Sequence, residues 1–377
     1  MNTKKMLPLI ITALFTAPAV WAADNAESLN INMDKQTAGK AVAQDYVNSG
    51  ADTVRTDEAL IEYGRFKMTG AARVRVDGGD TASSYAGQAD QPSDTVSHFN
   101  IEVFPSLRVY KDWRVTSQLE SQINLEDFSR NGERGVNMTK LWAGGTVYDK
   151  VKARVGKFGA FSSYGRVLDN EITGAELFFD YKYPTKVSAG RVTKHFNDNP
   201  WGVEAHKSGI YAVQSVLPLD NDRAHIGGTY VFVNNVNNQG NRDHASFGEI
   251  GFDFKPIDDV TVMAAYSRSN LDVKDSAGND VQKHGIFAEV KYKNADWNVR
   301  NSYDVYVNYR NVGAMSGVSS VNDYSKNVKG FQVGADYVLL KNLKLGAFYL
   351  AGKQVNPTVG TEKQDVNVWR AQVEYKF

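Results

Sequence analysis

The sequence contains no cysteine, only 9 prolines and 6 histidines, and no surplus of either charge, with 43 Lys+Arg against 43 Asp+Glu. Each lack excludes a class of protein. Without cysteine there is no disulfide framework, no thiolate nucleophile and no cysteine-ligated zinc. Zero formal charge argues against a nucleic-acid binder, which needs a basic surplus. His98, His195, His206, His225, His244 and His284 are scattered, with no H-E-x-x-H pattern and no spacing suited to a metal or a Ser/His pair. The pairs Gly144-Gly145 and Gly227-Gly228 are not phosphate loops, and Gly352-Lys353 has no nucleotide motif upstream. The expectation is a protein without catalytic residues, metal or cofactor. No run beyond the N-terminus approaches 18 uncharged apolar residues, so no transmembrane helix is expected.

What is present begins with an export signal. Lys4 and Lys5 precede an apolar stretch from Met6 to Val20, and Val20-Trp21-Ala22 places small residues at −3 and −1 of a cleavage site. Residues 1–22 read as a secretory signal peptide, too short and wrongly flanked for a spanning helix. Cleavage removes two bases and no acid, leaving the exported chain slightly acidic.

The body has a period of two. From Phe66 onward the helical i, i+3, i+4 stripe is hard to find, while strict alternation recurs. Trp369, Ala371, Val373, Tyr375 and Phe377 share one face, with Arg370, Gln372, Glu374 and Lys376 on the other. Phe99, Ile101, Val103, Leu107 and Val109 alternate with His98, Asn100, Glu102, Ser106 and Arg108. Short turns such as Lys111-Asp112, Asp149-Lys150, Asn294-Ala295-Asp296 and Lys341-Asn342 alternate with long polar loops, including 77–95, 159–174 and 309–327. Aromatics such as Tyr110, Trp113, Tyr148, Tyr292 and Trp297 stand where strands meet turns. This rhythm predicts an all-β fold, a transmembrane antiparallel barrel with short periplasmic turns and long extracellular loops. A soluble β-sandwich also alternates, but does not join that loop rhythm to a signal peptide and an aromatic C-terminus. Sixteen strands are expected over 66–377, among them 66–76, 151–158, 175–183, 297–308 and 366–377. Alternation blurs in 151–158 and 207–233, which brackets the count between fourteen and eighteen. Residues 23–65 are not barrel-like and read as a periplasmic linker or a partial plug.

The terminal strand, with Trp369, Val373, Tyr375 and a final Phe377, resembles that of Gram-negative outer-membrane proteins. There such a strand is the signal read by the barrel-assembly machinery. Together with strand rhythm and length, the chain resembles the general bacterial porins over residues 66–377. The resemblance implies a 16-stranded homotrimer in the cell outer membrane, surrounded by lipid and lipopolysaccharide. It also implies passive diffusion of ions and small hydrophilic solutes, and a third long loop folded into the pore.

In this chain that loop is 159–174, carrying Asp169 and Glu171, with Glu176 just beyond; the Pro-Glu-Phe-Gly-Gly sequence of enterobacterial members is absent. Strand phase puts Arg73, Arg75, Arg108, Arg114, Lys140 and Arg154 on the lumenal wall. An Arg or Lys facing lipid near mid-bilayer would cost about 2–4 kcal/mol. Carboxylates opposed to cations across a narrow pore would set up a transverse field. Two other functions fit the same pattern: a substrate-specific channel, and a barrel serving mainly as adhesin or structural tether.

Overall fold

The computed structural model describes residues 61–80, 95–125, 135–193, 207–219, 223–236, 244–275, 278–318, 327–357 and 362–377. The expected signal peptide and residues 23–60 lie outside the described residues, as do parts of most of the long loops.

A short strand β1 (Ile61–Tyr63) precedes sixteen long ones: β2 (Phe66–Asp80), β3 (Val96–Tyr110), β4 (Trp113–Asn124), β5 (Asn137–Tyr148), β6 (Val151–Phe161), β7 (Asp169–Phe179), β8 (Thr185–Val192) and β9 (Gly209–Leu219); then β10 (Ala224–Asn234), β11 (His244–Ile257), β12 (Val260–Ser269), β13 (His284–Lys293), β14 (Tyr303–Val312), β15 (Val328–Leu340), β16 (Leu343–Gln354) and β17 (Asp365–Lys376). Each long strand pairs antiparallel with the next. Strand β17 then pairs with β2, Gln372 opposite Arg75 and Glu374 opposite Arg73, so the sheet closes on itself. Closure removes every unpaired edge, which is the condition for strands to cross a bilayer. The seam ends on Phe377, whose amide and carbonyl both bond to Gly70. Just past it, β1 turns back through Gly64 (φ 60) and lies along Phe66–Met68, extending the row that Phe377 ends.

The alternation read from sequence becomes an inside and an outside. In β11, Ala245, Phe247, Glu249, Gly251 and Asp253 are buried on the inner side, while Ile250, Phe252 and Phe254 stand exposed outside. In β17 the buried residues are Val366, Val368, Arg370, Gln372, Glu374 and Lys376, and Trp369, Val373 and Tyr375 lie on the other face. A closed barrel whose outer residues are Val, Ile, Phe and Tyr has the form of a lipid-embedded protein.

All sixteen expected strands form, with several ends moved by a few residues and two starts moved by about six. Strand β7 begins at Asp169 rather than 175, because the β6–β7 hairpin keeps its ladder as far as Phe161 opposite Asp169. Backbone pairing does not depend on side-chain type, so a Gly- and Ser-rich stretch that reads as loop continues as hairpin. Strand β14 begins at Tyr303 rather than 297. Trp297 belongs to a turn in which the Val299 amide bonds to the Asp296 carbonyl, the Ser302 hydroxyl to the Asp296 and Val299 carbonyls, and Asn301 takes a left-handed φ of 64°.

Candidate pore and its inward hairpin

Pairing between β5 and β6 stops at Leu141–Lys157, and pairing between β7 and β8 stops at Ile172–Val192. Beyond those points the β6–β7 hairpin pairs only with itself. It also bends. The Arg154 guanidinium donates to the Gly159 carbonyl at 2.8 Å. A straight strand would carry residue 159 about 16 Å from residue 154, outside the reach of an arginine side chain. The bend is at Gly156, whose φ of 131° suits only glycine, and where a Cβ would stand 2.4 Å from the Leu141 carbonyl oxygen.

The bend delivers the hairpin tip, Ser162 to Leu168, to the inner faces of β10 and β11. Glu249 is its anchor: the carboxylate accepts the Tyr164 amide at 2.7 Å, the Ser162 hydroxyl at 2.8 Å and the Arg166 amide. The Ser163 amide bonds to the Thr229 hydroxyl at 2.8 Å. Tyr164 lies in a recess made by Gly227 and Gly251, where added Cβ atoms would stand 3.1 and 2.6 Å from its ring. Its hydroxyl donates to Asp253, which also bonds to His225 at 2.9 Å. The Arg166 guanidinium stacks over Phe287, 4.0 Å from the ring centre. A second loop, 313–318, closes on the tip: the Val318 amide bonds to the Val167 carbonyl at 2.8 Å, and Gly317 packs against Arg166 and Val167.

One side of the hairpin is apolar. Phe158, Ala160 and Ile172 are buried with Val167, Leu168, Met315 and Val318 against Val192, Ile210, Val231, Val233 and Phe247 of the barrel wall. This part of the interior is packed like the core of a soluble protein. The opposite side of the hairpin is charged. Glu171, paired with Gly159 across the hairpin, forms an ion pair with Lys157 at 2.8 Å. A side chain at Gly159 would point towards the Lys140 ammonium, 3.6 Å away. Asp169 shares the alternation of Glu171.

The cations expected on the wall fall into three groups. Arg73 and Arg75, with His98, Asn100, Glu102, Glu120 and Gln122, line a polar cleft of about 120 Å³ on β2–β4. Within it Arg73 lies 3.7 Å from Glu102, and the Asn100 amide donates to Glu120 at 2.7 Å. Lys140 stands across β4 from these, opposite Gln118. Arg154 is instead buried in an ion pair with Glu176 at 2.9 Å, and Glu176 also accepts from Ser188 and lies 3.9 Å from Lys186. Arg108 and Arg114 face each other next to the turn at 111–112, where Arg114 bonds to Ser106.

The hairpin's anchors, Glu249, Asp253, Thr229 and Tyr164, escaped the sequence reading. Glu249 is one inward acid among many, and nothing in sequence tells that a loop 85 residues earlier lies against it. The faint signal was the set of inner-face glycines, Gly227 and Gly251, which left room for Tyr164. Among the described residues no group of three or more His, Asp or Glu is placed to hold a metal ion.

No protein-family model matches the chain, and no curated protein matches its sequence. The fold does match solved structures. One is Pseudomonas putida OprB, with a TM-score of 0.58 at 11% identity over 83% of this chain and 94% of that one. Others are mutants of the Rh. blastica porin, with a TM-score of 0.51 at 12% identity over 83% of this chain and the whole of theirs. The fold is that of the 16-stranded porins.

Proposed function

We propose that the chain is an outer-membrane porin, a water-filled channel through which ions and small hydrophilic solutes diffuse passively. The observation that carries this is a closed sixteen-stranded ring, apolar outside, with one inward sector of charged side chains that the apolar packing of the β6–β7 hairpin does not cover. The hairpin divides the interior. Its apolar side fills the space under β8–β11, and its charged side borders the cleft of β2–β4. The open path runs between the hairpin's charged side, with Asp169, Glu171 and the nearby Lys140, and the wall that carries Arg73 and Arg75. Opposed charges there order water and favour polar solutes over apolar ones.

Glu176 and Arg154 play a different part in this reading. Buried and mutually neutralised, they brace β6 against β7 below the bend. Arg108 and Arg114 act at the mouth on the short-turn side, which is the periplasmic side. The terminal strand with Trp369, Val373, Tyr375 and Phe377 serves as the assembly signal, and the working form is a homotrimer in lipopolysaccharide-containing outer membrane.

Conductance of the purified protein in a planar bilayer tests the proposal. Stepwise openings in simple salt are expected. A barrel that inserts but never conducts would overturn the porin reading and leave the adhesin or tether. Block of the open channel by one solute at low concentration would select the substrate-specific channel instead.

A further inference from the structure

A cavity of about 550 Å³ lies at the long-loop end of β13–β16, within the size range of small-ligand sites. It forms where one connection leaves the wall. Beyond Val312 the chain turns inwards, the Met315 amide bonding to the Gln282 carbonyl and the Val318 amide to Val167 of the hairpin tip. The segments on either side meet across the gap. The Gln282 amide donates to the Asn356 side chain at 2.9 Å, and the Asn356 side-chain amide donates to the Asp280 carbonyl at 3.2 Å. What remains is a notch bordered by His284, Asn311, Lys329 and Lys363.

The side of the notch that carries Asn311 and Lys329 belongs to the outer surface. Asn311 stands opposite Lys329, and Lys329 opposite Lys353, in one row across β14–β16. Lys329 shares the alternation of Phe331 and Val333, both exposed outside. Roughly 7 Å further down each strand the outer rows turn apolar: Tyr309, Phe331 and Ala351, then Val307, Val333 and Tyr349. Both acids lining the notch are already engaged, Asp272 by Lys283 and Asp280 by Lys274, and Asp365 beside it pairs with Lys353 at 3.4 Å. Lys329 and Lys363 are exposed and have no ion-pair partner among the described residues. Arg268, exposed opposite His284, has none among them either. Uncompensated positive charge directly above an apolar band suits an amphiphile with an anionic head, whereas a soluble anion would make no use of the band.

We propose that this notch binds the phosphate-bearing head of an outer-leaflet lipid, a phosphorylated glycolipid whose acyl chains lie along the apolar rows below. Lys329 and Lys363 hold the phosphate through charge-assisted hydrogen bonds, and Arg268 adds charge at the edge. The long-loop end is where such a barrel meets the outer leaflet. The inference rests on the barrel's place in an outer membrane, which is part of the porin reading, and not on conduction. Lipid binding and bilayer currents therefore fail independently.

The test is native mass spectrometry of the folded full chain in detergent, titrated with bisphosphorylated lipid A and, separately, with the same lipid stripped of its phosphates. Retention of the phosphorylated form alone is expected. Lys329→Gln combined with Lys363→Gln is expected to weaken that retention by about 25-fold, about fivefold for each lysine. Lys150→Gln combined with Lys182→Gln, at two exposed positions of the short-turn end, is expected to leave it unchanged. Equal retention of the two lipids, or an equal loss in the two double variants, would overturn the notch as a lipid site. Displacement of lipid A by millimolar inorganic phosphate would overturn it as well, and make the notch a site for a soluble anion.

Discussion

At the scale of single residues, the interior of this barrel depends on a few groups that have no apparent chemistry. Glu249 accepts two backbone amides and a hydroxyl from the hairpin tip, donors that folding would otherwise strand. Hydrogen bonds to a charged acceptor contribute about 1.5–3 kcal/mol each. Glu249→Gln turns an acceptor oxygen into a donor facing other donors, and is expected to loosen 162–168. Noisier open-channel current and new protease cleavage within the tip would reveal it; a quiet, protected tip would show the anchor to be dispensable. Gly156 is expected to be equally intolerant for a steric reason. Gly156→Ala places a Cβ against the Leu141 carbonyl at a φ that costs an L-residue about 1–3 kcal/mol, so the yield of folded barrel on refolding into detergent should fall. The buried pair of Arg154 and Glu176 gives a third expectation. Removing one partner of a buried pair costs about 3–5 kcal/mol, so Glu176→Ala should lower the unfolding midpoint in denaturant and leave ion selectivity nearly unchanged.

At the scale of elements, the β6–β7 hairpin has two unlike sides, and its position follows from the apolar one. Phe158, Ala160 and Ile172 must be buried, and the inner wall of β8–β11 offers Val192, Ile210, Val231, Val233 and Phe247. Docking there leaves the side bearing Asp169 and Glu171 turned away from the apolar wall. The selectivity prediction belongs to this scale. Asp169→Asn combined with Glu171→Gln should shift the reversal potential towards anions in a salt gradient, and the absence of a shift would remove these two residues from the pore lining. The hairpin also shows what was legible in sequence. Its place in the strand order and its acidic residues could be read. Its bend could not, because Gly156 is one of 32 glycines and only a backbone φ of 131° marks it as a hinge.

At the scale of the whole molecule, the ring is closed by its last residue. Phe377 makes both of its backbone bonds to Gly70, and β1 continues the same row. Deleting Phe377 should open the seam at the short-turn end and reduce assembly into the membrane, measured as the fraction of protein reaching a heat-resistant form; undiminished assembly would show that β1 alone suffices to hold the seam. The near-equal polar and apolar content and the balanced 43-to-43 charge, which suit a soluble protein, are the average of two opposite surfaces. The outer surface is apolar; the inner one is partly packed and partly charged.

The sequence by itself determined the barrel. A period of two with short and long connections admits few other folds, because a one-residue slip in any strand would turn its charges to lipid. It also bracketed the strand count between fourteen and eighteen and marked the closing aromatic terminus and the two alternating faces of most strands. Tertiary structure alone decided what those inward residues do. Arg154 and Glu176 became a buried brace, Glu249 an anchor and Arg73 with Glu102 part of a cleft. Alternation is a local property of each strand, whereas these roles arise between side chains of different strands, well separated in the chain.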